Sequence, residues 1–270
     1  MAHGFAPAKI NLTLHVTGQR ADGYHLLDSL VMFASVGDEL SMYDGPLGLD
    51  VSGPQADGVP TDARNSILKA AQACGVSARF SLVKNLPSAA GIGGGTADAA
   101  CALRLMAQVW PDGPAAQMLA DPSKAVDLGA DVPVSLPSKA ARMRGIGEQV
   151  ELLPDVPNLH AVLVNPGVEV STANSFKSMK SKGNHPMVAR GADFTAWLKS
   201  QRNDMQAPAI QLAPIIADVL AALQDATLAR MSGSGATCFG IYPSRATAQA
   251  AATRIAQAQP NWWVAPCLLS

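Results

Sequence analysis

Apolar and polar residues alternate strictly over Lys9–Val16, where Ile10, Leu12, Leu14 and Val16 are separated by Asn11, Thr13 and His15. A period of two sends one set of side chains to each face of a sheet, so this spacing predicts a half-buried strand. It closes at Gly18 and the turn-forming run Ala21-Asp22-Gly23. Leu26–Ala34 and Glu39–Tyr43 predict two further strands, and the Gly-, Pro- and Asp-rich stretch Asp44–Pro60 predicts a surface loop or a weak hairpin. Over Asn65–Cys74 the pattern becomes helical through Ile67, Leu68 and Ala71, with Gly75 as its stop. A strand over Arg79–Lys84 then runs into a glycine-rich segment. Beyond that segment an Ala-rich helix is predicted over Thr96–Val109, ended by Pro111-Asp112-Gly113, and a short one over Ala115–Leu119.

The second half predicts strands at Ala140–Arg144, Gln149–Leu153, Ala161–Val164 and Cys238–Tyr242, with helices at Ala209–Leu223 and Arg245–Gln257. Strands and helices mix without regular βαβ alternation, which predicts an α+β fold rather than a doubly wound parallel sheet. The turn-rich run Pro154–Asn158 marks a linker, giving expected domains of residues 1–155 and 156–270.

Composition narrows the function classes. Hydrophobic residues make up 48% and charged residues 15%, enough apolar side chain to exclude intrinsic disorder. Lys and Arg number 20 against 21 Asp and Glu, a net charge of −1, without the basic excess that a nucleic-acid or membrane-surface binder needs. No apolar run approaches the roughly 18 residues of a membrane span, and the start lacks the basic-then-apolar pattern of a signal peptide. A cytoplasmic protein is expected. The four cysteines are far apart, with no Cys-x-x-Cys pair, and read as reduced, buried small hydrophobes.

The candidate chemistry centres on Pro87-Ser88-Ala89-Ala90-Gly91-Ile92-Gly93-Gly94-Gly95-Thr96-Ala97, between a strand and a strong helix. Glycines let a backbone bend and aim several N–H groups inward, and the following helix adds its positive N-terminal end. Such a concavity suits an anion, a nucleotide phosphate above all, although a tight strand-to-helix turn also uses glycines. A P-loop would end in Gly-Lys-Ser/Thr and a dinucleotide fingerprint would place glycine where Thr96 stands, so neither motif matches. A second glycine-rich run, Met231–Thr237, lacks the Gly-x-Ser-x-Gly elbow of a serine hydrolase and by itself is as compatible with a turn as with a ligand contact.

Three ordered segments, Pro7-Ala8-Lys9-Ile10-Asn11-Leu12, the Pro87–Ala97 loop and Gly233-Ser234-Gly235-Ala236, resemble the three motifs of the GHMP small-molecule kinases. Gly18–His25, Gly129–Pro133, Asn165-Pro166-Gly167 with Ser171-Thr172, and Asn203-Asp204-Met205 narrow the likeness to one branch, and together the segments cover nearly the whole chain in order. The resemblance implies a two-domain fold, the N-terminal domain like domain 2 of ribosomal protein S5 and the C-terminal domain ferredoxin-like, with the site in the cleft between them. It implies transfer of the ATP γ-phosphoryl group, with Mg²⁺, to the tertiary hydroxyl of a cytidine diphosphate-linked methylerythritol, in the non-mevalonate route to isoprenoid precursors. Asp131 matches the catalytic base, and Lys9 the lysine that pairs with it and neutralises charge near the transferring phosphate. The Pro87–Ala97 loop would wrap the ATP phosphates. Two hydroxyl residues are usual after its glycines, whereas this chain has Thr96 then Ala97, so the metal ligands stay unassigned. Tyr24, His25, Thr172 and Phe176 match the positions around the cytidine end, and Asn11 a position near the substrate or phosphate. Asp98 reads as a favourable first-turn charge, and Asn203-Asp204 as a helix start. Alternative readings are a homoserine- or mevalonate-type kinase and a non-catalytic nucleotide or sugar sensor of the same fold.

Overall fold

A computed structural model describes residues 1–270. Along the chain run β1 (Ala2–Asn11), β2 (His15–Gln19), β3 (His25–Tyr43), β4 (Gly48–Ser52), α1 (Ser66–Ala73), β5 (Arg79–Val83), α2 (Gly94–Val109) and α3 (Pro114–Ala120). A 3₁₀ turn at Pro122–Leu128 leads to α4 (Val132–Ser135), β6 (Ala141–Gly145), β7 (Gln149–Leu152), β8 (Leu159–Asn165), α5 (Thr172–Lys177) and α6 (Phe194–Ser200). The chain ends with α7 (Gln206–Leu212), α8 (Ile215–Ala222), β9 (Leu228–Met231), β10 (Cys238–Tyr242), α9 (Arg245–Ala258) and β11 (Trp263–Leu269). The α+β class expected from the sequence holds. No helix is long and apolar enough to cross a membrane.

Two compact units are built from non-contiguous segments: Met1–Lys9, Val36–Ser88 and Gly93–Ser138 in the first, Ile10–Ser35, Ala89–Ile92 and Lys139–Ser270 in the second. This partition by packing is a different division from the 1–155 and 156–270 domains expected from turn composition.

In the first unit β5 pairs antiparallel with the later half of β3, from Glu39 opposite Val83 to Tyr43 opposite Arg79, and parallel with β4. The Asp44–Pro60 stretch thus contributes a strand, although Gly and Pro frame it. Phe80 and Leu82 of β5 are fully buried beneath α1 and α2. α1 starts where Asn65 accepts the Ile67 N–H at 2.9 Å, and it buries Ile67, Leu68, Ala70 and Ala71. α2 buries nine residues between Ala97 and Met106, Ala97–Leu103 without a break, so this stretch of the helix is enclosed on every side, and its many alanines let its neighbours pack close. Each large side chain so buried contributes about 1.5–3 kcal/mol.

The second unit places β8 between β10 and β11, all antiparallel, with β9 beyond β10. The early half of β3 pairs with β2 and with β6, which forms a hairpin with β7. Ile216 and Val219 of α8 and Ala248, Ala252 and Ile255 of α9 bury against Val162, Val164 and Cys238. The single helix expected over Ala209–Leu223 is two, because Ala213 precedes Pro214 and takes φ −138°, outside the helical region. β3 is one strand where two were expected.

Candidate active site

Lys9 and Asp131, distant in sequence, meet within the first unit: Lys9 Nζ lies 2.6 Å from Asp131 Oδ2, with the lysine side chain 5% and the aspartate side chain 33% exposed. Lys9 comes from the buried end of β1, and Asp131 stands at the N-cap position of α4. Its carboxylate does not cap that helix, however, and only its carbonyl is used, accepting from Ser135 N–H at 3.1 Å and Ser135 Oγ–H at 2.8 Å. The side chain is thereby left to the ammonium and to solvent. A buried cation beside a partly exposed carboxylate is a fixed charge pair whose acceptor is partly open to solvent.

The glycine-rich segment borders this pair. Gly93 has φ +66°, and a Cβ there would sit 3.3 Å from both Lys9 Cβ and Thr96 Oγ1, so the bare backbone lies directly on the lysine stem. Thr96 Oγ–H donates to Gly93 C=O at 2.8 Å, and a Cβ on Gly129 would meet Thr96 Cγ2 at 3.0 Å. The first helical bond of α2 runs from Ala97 N–H to Gly93 C=O at 2.8 Å, so the preceding amides of Gly94, Gly95 and Thr96 face the helix start. No three His, Cys, Asp or Glu side chains converge as a metal cage.

The middle of the same segment, Ala89–Ile92, packs in the second unit against the Met231–Thr237 loop. Gly91 (φ +73°) and Gly233 (φ +54°) lie so close that a Cβ on Gly91 would fall 2.7 Å from the carbonyl oxygens of Ser232 and Gly235. Ser232 Oγ accepts from Asn11 N–H at 3.0 Å and donates to Gly91 C=O at 3.0 Å, while Thr237 N–H donates to Ala90 C=O at 3.1 Å. One serine hydroxyl therefore ties together all three motif segments. Asn203, read from sequence as a helix start, does accept the Met205 N–H at 2.9 Å just before α7, and it also donates its Nδ2 to Met231 C=O at 2.8 Å and Gly233 C=O at 2.9 Å. The Asn203-Asp204-Met205 segment was visible in the sequence, but nothing local pointed to the loop it holds. Asn11 is 3% exposed and donates its Nδ2 to Ser29 Oγ at 2.8 Å.

Elsewhere in the second unit the His25 and Phe176 rings stack with centroids 3.9 Å apart and planes within 3°. His25 Nε2 is buried without a partner. Burial, with Lys182 adding to it, holds the His25 pKa below the ordinary histidine value, so the ring favours its neutral form. Thr172, the first residue of α5, shares a hydrogen bond with Ser234 at 2.8 Å between hydroxyls. Tyr24 is exposed at the tip that follows the Arg20–Gly23 turn. Asp98 departs from its expected place: it is not a first-turn charge of α2 but a buried residue one turn in, paired with Lys84 at 3.2 Å. Lys84 and Asp38, which no motif pointed to, complete that cluster.

The GHMP kinase N-terminal family matches residues 62–138 and the GHMP kinase C-terminal family residues 182–261. The 4-diphosphocytidyl-2-C-methyl-D-erythritol kinase of Dinoroseobacter shibae is 55% identical, over 98% of this chain and 94% of its own length. The enzyme of the same name from Paracoccus denitrificans is 52% identical, over 96% and 94%. A crystal structure of 4-(cytidine 5'-diphospho)-2C-methyl-D-erythritol kinase superposes with a TM-score of 0.80 at 30% identity, covering 100% of this chain and 99% of that one. Mevalonate kinase from L. major, at a TM-score of 0.67 and 15% identity, shares the fold. With full-length identity this high and both kinase domains matched, the chain belongs to the GHMP kinases, in the branch of the 4-diphosphocytidyl-2-C-methyl-D-erythritol kinases.

Proposed function

We propose that this chain transfers the γ-phosphoryl group of ATP to the 2-hydroxyl of 4-diphosphocytidyl-2-C-methyl-D-erythritol, giving the 2-phosphate and ADP, a step of the non-mevalonate isoprenoid precursor route. The observation that carries the reading beyond kinship is the Lys9–Asp131 pair at 2.6 Å, kept beside the glycine segment. A tertiary hydroxyl is a hindered, weakly acidic nucleophile. Asp131, whose carboxylate is partly exposed, accepts its proton as the hydroxyl oxygen bonds to the γ-phosphorus and the bond from that phosphorus to the ADP oxygen breaks. Lys9, too buried to be solvated freely, supplies fixed positive charge next to the developing phosphate charge. The Pro87–Ala97 backbone amides and the start of α2 hold the phosphates, and Thr96 offers the segment's one hydroxyl after the glycines.

Mg²⁺ accompanies ATP in this reading. The chain brings together no three-residue carboxylate, histidine or thiol cage, which agrees with an ion carried largely on phosphate oxygens and water. At the cytidine end, Phe176 offers a ring face to a pyrimidine, and neutral His25 offers a ring nitrogen to its amide-like edge, with Tyr24 and Thr172 nearby in sequence to each. Asn11 serves through its backbone, anchoring Ser232.

The retained base and its charge partner favour an enzyme over a sensor, since binding alone has no use for a proton acceptor. A coupled ADP-release assay with ATP and Mg²⁺ decides the acceptor: release is expected with 4-diphosphocytidyl-2-C-methyl-D-erythritol and not with mevalonate, homoserine or no acceptor. Release with another acceptor would overturn the substrate assignment, and ATP binding without release would point to the sensor.

A further inference from the structure

Beneath the glycine segment lies a buried ionic cluster that the mechanism above does not use. Lys84, the residue after β5, is 3% exposed, and its Nζ pairs with Asp38 of β3 and, at 3.2 Å, with Asp98 of α2. Asp38 is fully buried, and its Oδ1 accepts from the Asn85 N–H at 2.6 Å and the Leu86 N–H at 2.8 Å. One carboxylate therefore grips the two amides that lead into the Pro87–Ala97 segment, and one ammonium links that carboxylate to the helix that leaves it. The first residue of α2 rests on the same ammonium: a Cβ on Gly94 would stand 3.2 Å from Lys84 Nζ.

Asp98 Oδ1 is buried with no hydrogen-bond partner. Burial pushes the Asp98 carboxyl up to about 7 while Lys84 draws it down, and in Lys84 burial is outweighed by the two carboxylates, which raise its pKa. Burying three ionisable groups is a poor way to gain stability, because an apolar set of similar volume usually serves as well. What the cluster does supply is direction: fixed hydrogen bonds to both ends of a segment whose interior takes positive φ at Ala89, Gly91 and Gly93.

We infer that Lys84, Asp38 and Asp98 are a positioning triad for the phosphate-binding segment, fixing the strand that leads into it relative to the helix that follows and so setting the affinity for the nucleotide triphosphate. This rests on the reading that Pro87–Ala97 binds the ATP phosphates. None of the three touches the reacting atoms in this account, so their loss acts on ATP affinity and not on the acceptor or the chemical step.

The test is steady-state kinetics with each substrate varied in turn, ADP binding by calorimetry and thermal melting, for Lys84→Met, Asp98→Ala and Asp98→Asn. Lys84→Met and Asp98→Ala are expected to raise KM for ATP and Kd for ADP at least about tenfold, with kcat and the acceptor KM within about threefold. Asp98→Asn keeps an oxygen for Lys84 and is expected to restore the ATP KM to within about threefold of the parent. If Lys84→Met does not fold, Asp98→Ala, which leaves the Lys84–Asp38 pair intact, carries the test. A lowered melting temperature with unchanged ATP KM and ADP affinity, or an equal change in the constants of both substrates, would overturn the triad. If the parent protein itself binds no nucleotide, the reading of the segment fails and the triad with it, an outcome distinct from a nucleotide-binding parent with indifferent variants.

Discussion

Replacing Gly91 by alanine tests the interlock of the two glycine loops in numbers. The residue has φ +73°, and the new Cβ would lie 2.7 Å from the Ser232 and Gly235 carbonyl oxygens and 2.8 Å from Gly235 N. All three are backbone atoms, so no side chain can rotate out of the way. A non-glycine residue in this backbone region costs about 1–2 kcal/mol on its own. Relief of the overlap must part the loops and lengthen two hydrogen bonds, Ser232 Oγ to Gly91 C=O at 3.0 Å and Thr237 N to Ala90 C=O at 3.1 Å. At about 1 kcal/mol each, these bring the expected loss to about 3–4 kcal/mol, a large part of a typical stability. Gly58 is the internal control: its φ is +75°, and a Cβ there meets nothing within 4 Å. Gly58→Ala should therefore lose only the backbone part. Urea unfolding of both variants gives the difference, about 2 kcal/mol, and ADP release should show a raised ATP KM for Gly91→Ala alone. Two variants of equal stability would refute the interlock.

Asp131→Asn should lower kcat by about 10²–10⁴ while leaving nucleotide affinity within a few-fold, because the proton acceptor matters only in the transition state; near-normal turnover would remove Asp131 from its role. Lys9→Ala should be almost as damaging, and unchanged turnover at neutral pH would separate the pair from catalysis. Phe176→Ala should raise KM for the cytidylyl substrate about tenfold, as expected for loss of about 1.4 kcal/mol of stacking, and ATP KM much less; equal effects would make the ring structural. Burial would raise the Asp28 pKa, but the bidentate Arg142, at 2.7 Å to each oxygen, and the Met187 N–H hold it below the ordinary carboxylate value. The unfolded chain then takes up this proton at higher pH than the folded one, so the stabilisation is present above the ordinary carboxylate range and is lost as pH falls through it and below. Thermal melts from pH 6 to pH 3 should fall less steeply for Asp28→Asn than for the parent, and parallel curves would contradict this.

Local chemistry made much of this fold readable. The helix after the glycines and the Arg79–Lys84 strand sit where periodicity places them, and so does the turn at Gly23, which has φ +92°. What escaped depends on partners. Leu26–Ala34 and Glu39–Tyr43 read as two strands, yet β3 runs on through Gly37 between them, and a Cβ there would collide with the Ala6 carbonyl and meet Phe5 Cζ at 2.7 Å. The glycine makes room for β1 and does not end a strand. No strand is predicted at Trp263–Leu269, yet β11 pairs along its whole length with β8, with Pro266 opposite Val162. Lys9 and Asp131 were readable only through family likeness, because nothing near either residue foretells a partner 2.6 Å away. Lys84, Asp38 and Asp98 show the same limit more sharply: each is an ordinary surface residue type until three elements bring them together in the core.

In the proposed reaction the phosphate goes to one particular oxygen, the tertiary 2-hydroxyl of the cytidylyl substrate. Phosphorus NMR of the product made from ATP and 4-diphosphocytidyl-2-C-methyl-D-erythritol carrying ¹³C in the methylerythritol moiety tests it directly. The expected result is a new monophosphate signal coupled to the tertiary carbon C2, together with stoichiometric ADP and an intact diphosphate. A monophosphate on any other carbon, or ADP formed with no new phosphate ester, would contradict it.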